Sequence, residues 1–406
     1  MITHPFVSGG GLKEEIWEIT VNTEATTSGA KTTGIPINLY SQPGITMTVD
    51  WGDGTESVLT SASYSSASDS APSVHEYATA GTYIVRMKSM KWKGVYIDAL
   101  NRDSTGELSH IEGFRSTLVG VGQLPRCKGV LYRSSPTSNG SKTIDSFFHC
   151  FRGCSNLTSI PGGLFDNNPA VTNFSSCFRI CSNLTSIPAG LFDNNPAVTN
   201  FSFCFHDCSK LTSIPAGLFD SNPDVTNFSC CFWECRKLQS IPSGLFRNNS
   251  KVTNFHMTFF SCSISDIPVE LFTNCPAVTD MSGTFGDNPI TSVPSNLFSS
   301  QTLVTTLGNN TNTSNGIFSA STSSRGVIAI DENLFAHMLN LTQARLAFSG
   351  HYGFSIRFRA TELTDVTMFC NKDTEHPVTV YVPAGSATAE AFHAIADTTG
   401  IIVVEE

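Results

Sequence analysis

The sequence predicts a mainly β protein, in which a sandwich of short strands is followed by a coiled repeat array and a C-terminal cap. Three observations carry that expectation. A fixed period runs through the middle of the chain: Phe174, Phe201, Phe228 and Phe255 stand 27 residues apart, as do Pro161, Pro188, Pro215 and Pro242. Residues 1–92 instead alternate apolar and polar side chains between turns rich in Gly and Asp. Charged residues make up only 14% of the 406, well below the usual quarter, so Ser, Thr, Asn and Gly must form much of the surface. Such a surface suits an extracellular or virion protein better than a cytosolic enzyme.

In the first region, ITMTVDWGDGTESVL alternates and then turns at Gly52-Asp53-Gly54, and VHEYATAGTYIVRM does the same around Gly81. Short strands with such turns predict a β-sandwich of immunoglobulin-like size. Trp51-Gly52-Asp53-Gly54, then His75-Glu76-Tyr77, then Gly81-Thr82-Tyr83-Ile84-Val85 resemble the polycystic-kidney-disease (PKD) type of sandwich domain. The resemblance implies a spacer or a modest binder. Asp50, Asp53 and Glu56 form a candidate calcium set, because hard cations want several oxygens. The favoured reading is that Asp53 and Gly54 close a tight turn. Residues 93–143, with GVYIDAL and HIEGF, are expected to be irregular first coils that cap the array.

The array spans 144–307. Its step shortens to 26 at the end, giving Pro268 and Pro294, and Leu271 and Leu297. A unit of this length cannot bury its own apolar face, and stacked neighbours bury it together. Phe178, Leu184, Ile187, Leu191, Phe192, Val198 and Phe201 are spread around one unit, so they face a common interior. LTSI and VTNF alternate like short strands on two sides, and DNNPA turns between them. FRICSNLTSI and FDNNPAVTNF echo one another, so each coil reads as two half-turns. FxxCSxLTSIP with VTNFSxCF is similar to the BspA-like leucine-rich repeats of bacterial and phage surface proteins. That resemblance implies a right-handed solenoid used for adhesion and partner binding, and it brings no catalytic residues.

Residues 308–406 begin with the polar insertion NNTNTSNGIFSASTSSRG, after which AIDENLFAHMLNLTQARLAF resumes the repeat. The tail predicts a strand, a helix opened by Ser386 and a last strand, which together shield the final coil's open edge.

Thirteen cysteines raise the question of chemistry. Cys150/Cys154, Cys177/Cys181 and Cys204/Cys208 have the short spacing of zinc ligands. The pair recurs once per coil, however, and Cys takes a slot that the other half-turn gives to Asn. This predicts a buried ladder of free thiols bonded to the turn backbone, with no metal and no other cofactor. His206-Asp207-Cys208 resembles a nucleophile set, but the preceding coil has Arg179-Ile180 in those places, so no enzyme is expected. No phosphate loop or dinucleotide fingerprint occurs. Sequons such as Asn183-Leu184-Thr185 recur with the repeat and read as turn chemistry.

Slots that fail to repeat point to recognition. One runs His149, Ser176, Phe203, Cys230, Met257; the next runs Arg152, Arg179, His206, Trp233; a third runs Gly153, Ile180, Asp207, Glu234. They are expected to face solvent as a stripe, with Trp233, Arg179, His206, Arg152 and Phe203 as candidate binding residues. A net charge of −10 speaks against nucleic acid and anionic membranes. No apolar run reaches the ~18 residues of a membrane helix, so no membrane insertion is expected. The N-terminus shows no basic segment followed by an apolar one. The expectation is a virion or extracellular recognition protein: a phage head or tail fibre or decoration protein that contacts a host-surface glycan or protein, or other virion proteins. The alternative is a bacterial cell-surface adhesin, and a homo-oligomer is compatible with either.

Overall fold

The computed structural model describes residues 15–22, 32–35, 37–38, 46–60, 73–89, 96–97, 118–121, 147–148, 150–166, 168–308, 316–320, 326–370 and 375–406. Among these the chain is mainly β, with several small sheets and one α-helix. The first strands are β1 (Glu15–Asn22), β2 (Thr32–Ile35), β3 (Ile37–Asn38), β4 (Thr46–Asp50), β5 (Glu56–Thr60), β6 (Ser73–Glu76), β7 (Thr82–Ser89), β8 (Tyr96–Ile97) and β9 (Leu118–Val121). One antiparallel sheet has the order β5-β4-β7-β1-β9, while β2 pairs with β6 and β3 with β8. Alternation decides what is buried: Ile19, Val21, Val49, Val85 and Met87 lie inside, and Glu18 and Ile84 outside. Ile19 sits opposite Val85, and Val49 opposite Met87.

Two segments depart from expectation. Tyr96–Ile97, within GVYIDAL, pairs with β3, and Leu118–Val121 pairs with β1. They extend the N-terminal sheets instead of opening the array, because β1 would otherwise leave a row of unpaired backbone groups. The remainder of GVYIDAL, all of HIEGF, His149 and Cys127 lie outside the described residues.

From Phe147 onward, each coil is bonded to the next. The N–H groups of Phe174, Ser176, Phe178 and Ile180 donate to the carbonyls of Asn200, Ser202, Cys204 and His206 at 2.7–2.9 Å. The alternate residues bond within their own turn, as Cys177 N to Phe174 O and Cys181 N to Phe178 O. Two residues before Phe174, on the other flank of Asn173, the donation reverses, with Thr199 N to Thr172 O at 2.8 Å and Thr226 N to Thr199 O at 2.9 Å. The expected short strands reduce to single-residue parallel bridges, Asn173–Asn200–Asn227–Asn254–Asp280–Thr306. Turn bonds consume alternate N–H groups, so no extended run forms.

Phenylalanine columns fill the interior. The column Phe165, Phe192, Phe219, Phe246, Phe272, Phe298, Phe335, Phe358, Phe392 has centroid steps of 5.5–6.2 Å. Its last rung belongs to the helix. Beyond the array, β10 (Thr306–Gly308) pairs with β12 (Gln343–Ala344), and β11 (Gly326–Val327) with β13 (His351–Tyr352). β14 (Ser355–Arg357), β15 (Thr379–Val382) and β16 (Ile402–Glu405) form a parallel sheet, with α1 (Ala387–Thr399) between the last two strands. Ser386 Oγ accepts from Ala389 N at 3.1 Å, and Gly400, at φ 68°, ends the helix by donating to Ala396 O. The tail thus forms the strand–helix–strand order read from its sequence. Of the polar insertion, only Gly316–Ala320 and Gly326 are described.

Candidate functional site

The cysteines are structural rungs. Twelve are described, all free and buried. The thiols of Cys181, Cys208, Cys235 and Cys262 donate to the carbonyls of Phe151, Phe178, Phe205 and Phe232 at 3.1–3.3 Å. In the other half-turn, the amides of Asn195, Asn222 and Asn249 donate to Phe165, Phe192 and Phe219 at 3.1–3.2 Å. The chain then exchanges the two residue types. Cys275 stands in the Asn column and donates to Phe246 O at 3.7 Å, whereas Asn288 stands in the Cys column and donates to Phe259 O at 2.7 Å. The slot therefore selects a small buried donor. Burial holds the thiols of Cys177, Cys204, Cys208, Cys231 and Cys235 well above their ordinary range and pushes Cys275 up to about 12. The thiolate, which is the nucleophilic and metal-binding form, is thereby suppressed.

His206, Asp207 and Cys208 do not converge: the thiol faces Phe178 O, and His206 Nδ1 faces Trp233 O at 3.1 Å. Among the described residues, no three His, Cys, Asp or Glu side chains are grouped to hold a metal ion. Of the sequon asparagines, Asn200 Oδ1 accepts from Ser202 N within its own turn, as expected, whereas Asn183 Nδ2 donates to Asn156 Oδ1 of the preceding coil and so forms a ladder between coils.

The three N-terminal carboxylates serve separate partners. Asp50 accepts from Gly52 N at 2.9 Å and lies 3.7 Å from Arg86, while Glu56 pairs with Lys88 at 3.3 Å. Asp53 accepts from Thr55 N and Oγ1 and meets His75 Nε2 at 2.8 Å. Burial works against its charge, but the Thr55 hydroxyl, His75 and Thr55 N–H together hold it at about 2. His75 stacks on Trp51 at 4.5 Å, and Tyr77 donates to Trp51 O. Gly52 is required here: at φ 82°, an added Cβ would meet Ile84 O at 2.4 Å.

The non-repeating slots do come together, though not as the expected solvent-facing stripe. Arg152, Arg179, Phe203 and Trp233 are half-buried, and His206 is only 6% exposed. Cys230, Met257 and Phe260 form a small second core, with Phe203 and Trp233 packed on it. Phe260 was legible from the period, since it follows Trp233 by 27 residues. Arg179 lies over the Phe203 ring at 5.3 Å, and His206 stacks on Trp233 at 4.4 Å and 10°. Backbone conformation explains the packing. Ser176, Phe203, Cys230 and Met257 in one slot, and Ile180, Asp207, Glu234 and Ser261 in another, all have φ between 50° and 62°. These left-handed residues bracket the Arg179–His206–Trp233–Phe260 row, and side chains from successive coils close over one another. Burial, then Arg179, lowers the His206 imidazole to about 4 against the opposing pull of Trp233 O and Glu234. Burial and Glu234 raise the Asp207 carboxyl.

Comparison with protein-family models, curated proteins and solved structures finds no match to this chain.

Proposed function

We propose that the chain is a non-enzymatic recognition protein displayed at a surface. In this reading, residues 1–92 with their added strands are an immunoglobulin-like sandwich of PKD type. The coils that follow are a right-handed leucine-rich repeat solenoid of BspA-like type, closed by a C-terminal cap. The protein is carried on a phage particle, as a head or tail fibre or decoration protein, and contacts a glycan or protein of the host surface.

The observation that carries this reading is the lateral cluster. A frame repeated coil after coil holds three neighbouring slots in which Arg179, Phe203, His206, Trp233 and Glu234 each differ from their counterparts in the next coils. Repeat proteins bind through such rows, and Trp and Arg are favoured anchors. Trp233 Nε1 and Arg179 Nε are buried with no acceptor among the described residues, a cost that the repeated frame does not explain. The charge-poor composition supports display outside the cytosol.

Whole-cell attachment of purified protein tests the reading. Trp233→Ala is expected to weaken attachment about tenfold, at a cost to the fold of about 1–2 kcal/mol that leaves the protein folded at the assay temperature. Unchanged attachment rejects the lateral row as the recognition surface. Mass spectrometry of washed particles tests the placement. Recovery only from a bacterial envelope fraction would transfer the protein to the adhesin class.

A further inference from the structure

The lateral cluster combines three unfavourable features. Two buried donors, Trp233 Nε1 and Arg179 Nε, have no acceptor among the described residues. Phe203, Cys230 and Met257 hold left-handed backbone at φ 57°, 57° and 50°, where side chains are strained. A histidine is enclosed beside an arginine. His206 lies flat on the Trp233 indole, with Nδ1 on the Trp233 carbonyl. A carbonyl only accepts, so Nδ1 carries the proton and Nε2 is the free basic site.

The charged groups around this imidazole come from every coil packed on it. Arg179 and, farther off, Arg152 belong to the preceding coils. Asp207 is its chain neighbour, and Glu234, itself 3.5 Å from Arg236, belongs to the next coil. Phe203, Cys230, Met257 and Phe260 complete an apolar surround.

We propose that His206 is an acid-operated latch: protonation at Nε2 drives the imidazolium off Trp233, loosens the lateral cluster and uncovers Phe203, Trp233, Met257 and Phe260. Its biological use, an acid-exposed recognition surface, rests on the function proposed above; the physical latch does not. Burial and Arg179 hold the enclosed imidazole at about 4, while a freed one titrates near its ordinary value of about 6.5. The open form therefore takes up the proton first as pH falls. Its population climbs from about pH 6.5 downward and levels off below about 4. Between about pH 7.5 and about pH 5 the gain is about 30-fold.

Cys230 reports the opening. It is 3% exposed within the lateral cluster, whereas the other described cysteines belong to the main interior. Its labelling by 4,4′-dithiodipyridine would be followed by peptide mass spectrometry, with rates corrected by a model thiol at each pH. The wild type is expected to label about 30-fold faster at about pH 5 than at about pH 7.5. His206→Gln should be flat, and Arg179→Gln should be shallower than wild type, since losing the guanidinium raises the enclosed pKa. Equal pH dependence in wild type and His206→Gln overturns the latch, and so does a flat wild-type profile. If His206→Gln fails to fold, the slope of Arg179→Gln decides: a slope equal to wild type overturns it. No binding partner enters the measurement, so failure of the latch and failure of the recognition reading are separate results.

Discussion

The interior columns and the lateral cluster are built on the same coils, one residue apart. Phe205 stacks on Phe232 at 5.6 Å and 6°, and Phe232 on Phe259 at 5.6 Å and 1°. Next to them, His206 lies on Trp233, and Trp233 meets Phe260 edge-on at 6.4 Å and 89°. In these phenylalanine columns each ring meets another phenylalanine, so one residue type solves the packing from coil to coil. On the lateral side each rung meets a different neighbour, so the sequence varies while the backbone does not. Repetition in this chain therefore marks self-complementary columns. Its absence marks a packed cluster of individual fits, not free surface.

The largest way to break that comparison is to remove one ring from each region. Phe219 is fully buried, with Phe192 and Phe246 stacked on either side at 6.2 Å and Phe228 tilted against it at 4.7 Å. Phe219→Ala is expected to cost about 3–5 kcal/mol, since two coils lose a rung and a cavity remains. Half-buried Phe203→Ala should cost about 1 kcal/mol. Urea midpoints measure both. Equal shifts would mean that the lateral cluster is as much a part of the core as the columns.

A smaller effect sharpens the donor ladders. Asn222 donates to Phe192 O at 3.1 Å and to Asn195 O at 2.9 Å. Asn222→Leu takes the second donor from two buried carbonyls, which keep Asn195 N and Val198 N, for a loss of about 0.5–1.5 kcal/mol per bond removed. Asn222→Cys should lose less, because Cys275 fills the same slot by the chain's own choice. Thermal melts of the two variants check the ranking. The reverse order would show that volume, and not donation, selects residues for this slot.

These ladders are legible in the sequence itself, because Cys and Asn occupy matching places in the two half-turns and the repeat supplies many copies. The enclosure of the lateral row was not legible. Arg, His, Trp, Asp and Glu look like surface residues by type, and nothing in single letters reveals the left-handed backbone on both sides of them. Left-handed positions declare themselves in sequence when glycine fills them, and here Phe203, Cys230 and Met257 do. The strands expected from LTSI and VTNF fail on period as well as on bonding. Leu184 and Ile187, like Val198 and Phe201, are buried three residues apart with two more exposed residues between, so inside and outside do not alternate. Turn bonds take half of the neighbouring N–H groups. At the N-terminus the turn role of Asp53 was readable, whereas the pairing of Leu118–Val121 with β1 joins residues too far apart in sequence for any local signal.

The smallest effect bears on why side chains stand in left-handed slots at all. Glycine takes these slots on either side of the cluster, at Gly153 with φ 74° and Gly283 with φ 65°. Ile180 occupies the same slot as Gly153 at φ 62° and is β-branched, the least suited type. At an ordinary right-handed position, Ala is more stable than Gly by about 0.5–1 kcal/mol. At Ile180 the order should invert, with Ile180→Gly melting above Ile180→Ala: both lose the same half-buried side chain, and only glycine sheds the left-handed cost of about 1–2 kcal/mol. If Ala instead melts higher, the slot is unstrained and the lateral cluster forms without backbone cost. If Gly melts higher, each side chain in these slots is held against its own conformational preference by the neighbours it packs on. In that case, withdrawing one contact, such as the His206 stack of the proposed latch, is expected to loosen the residues that pack on it.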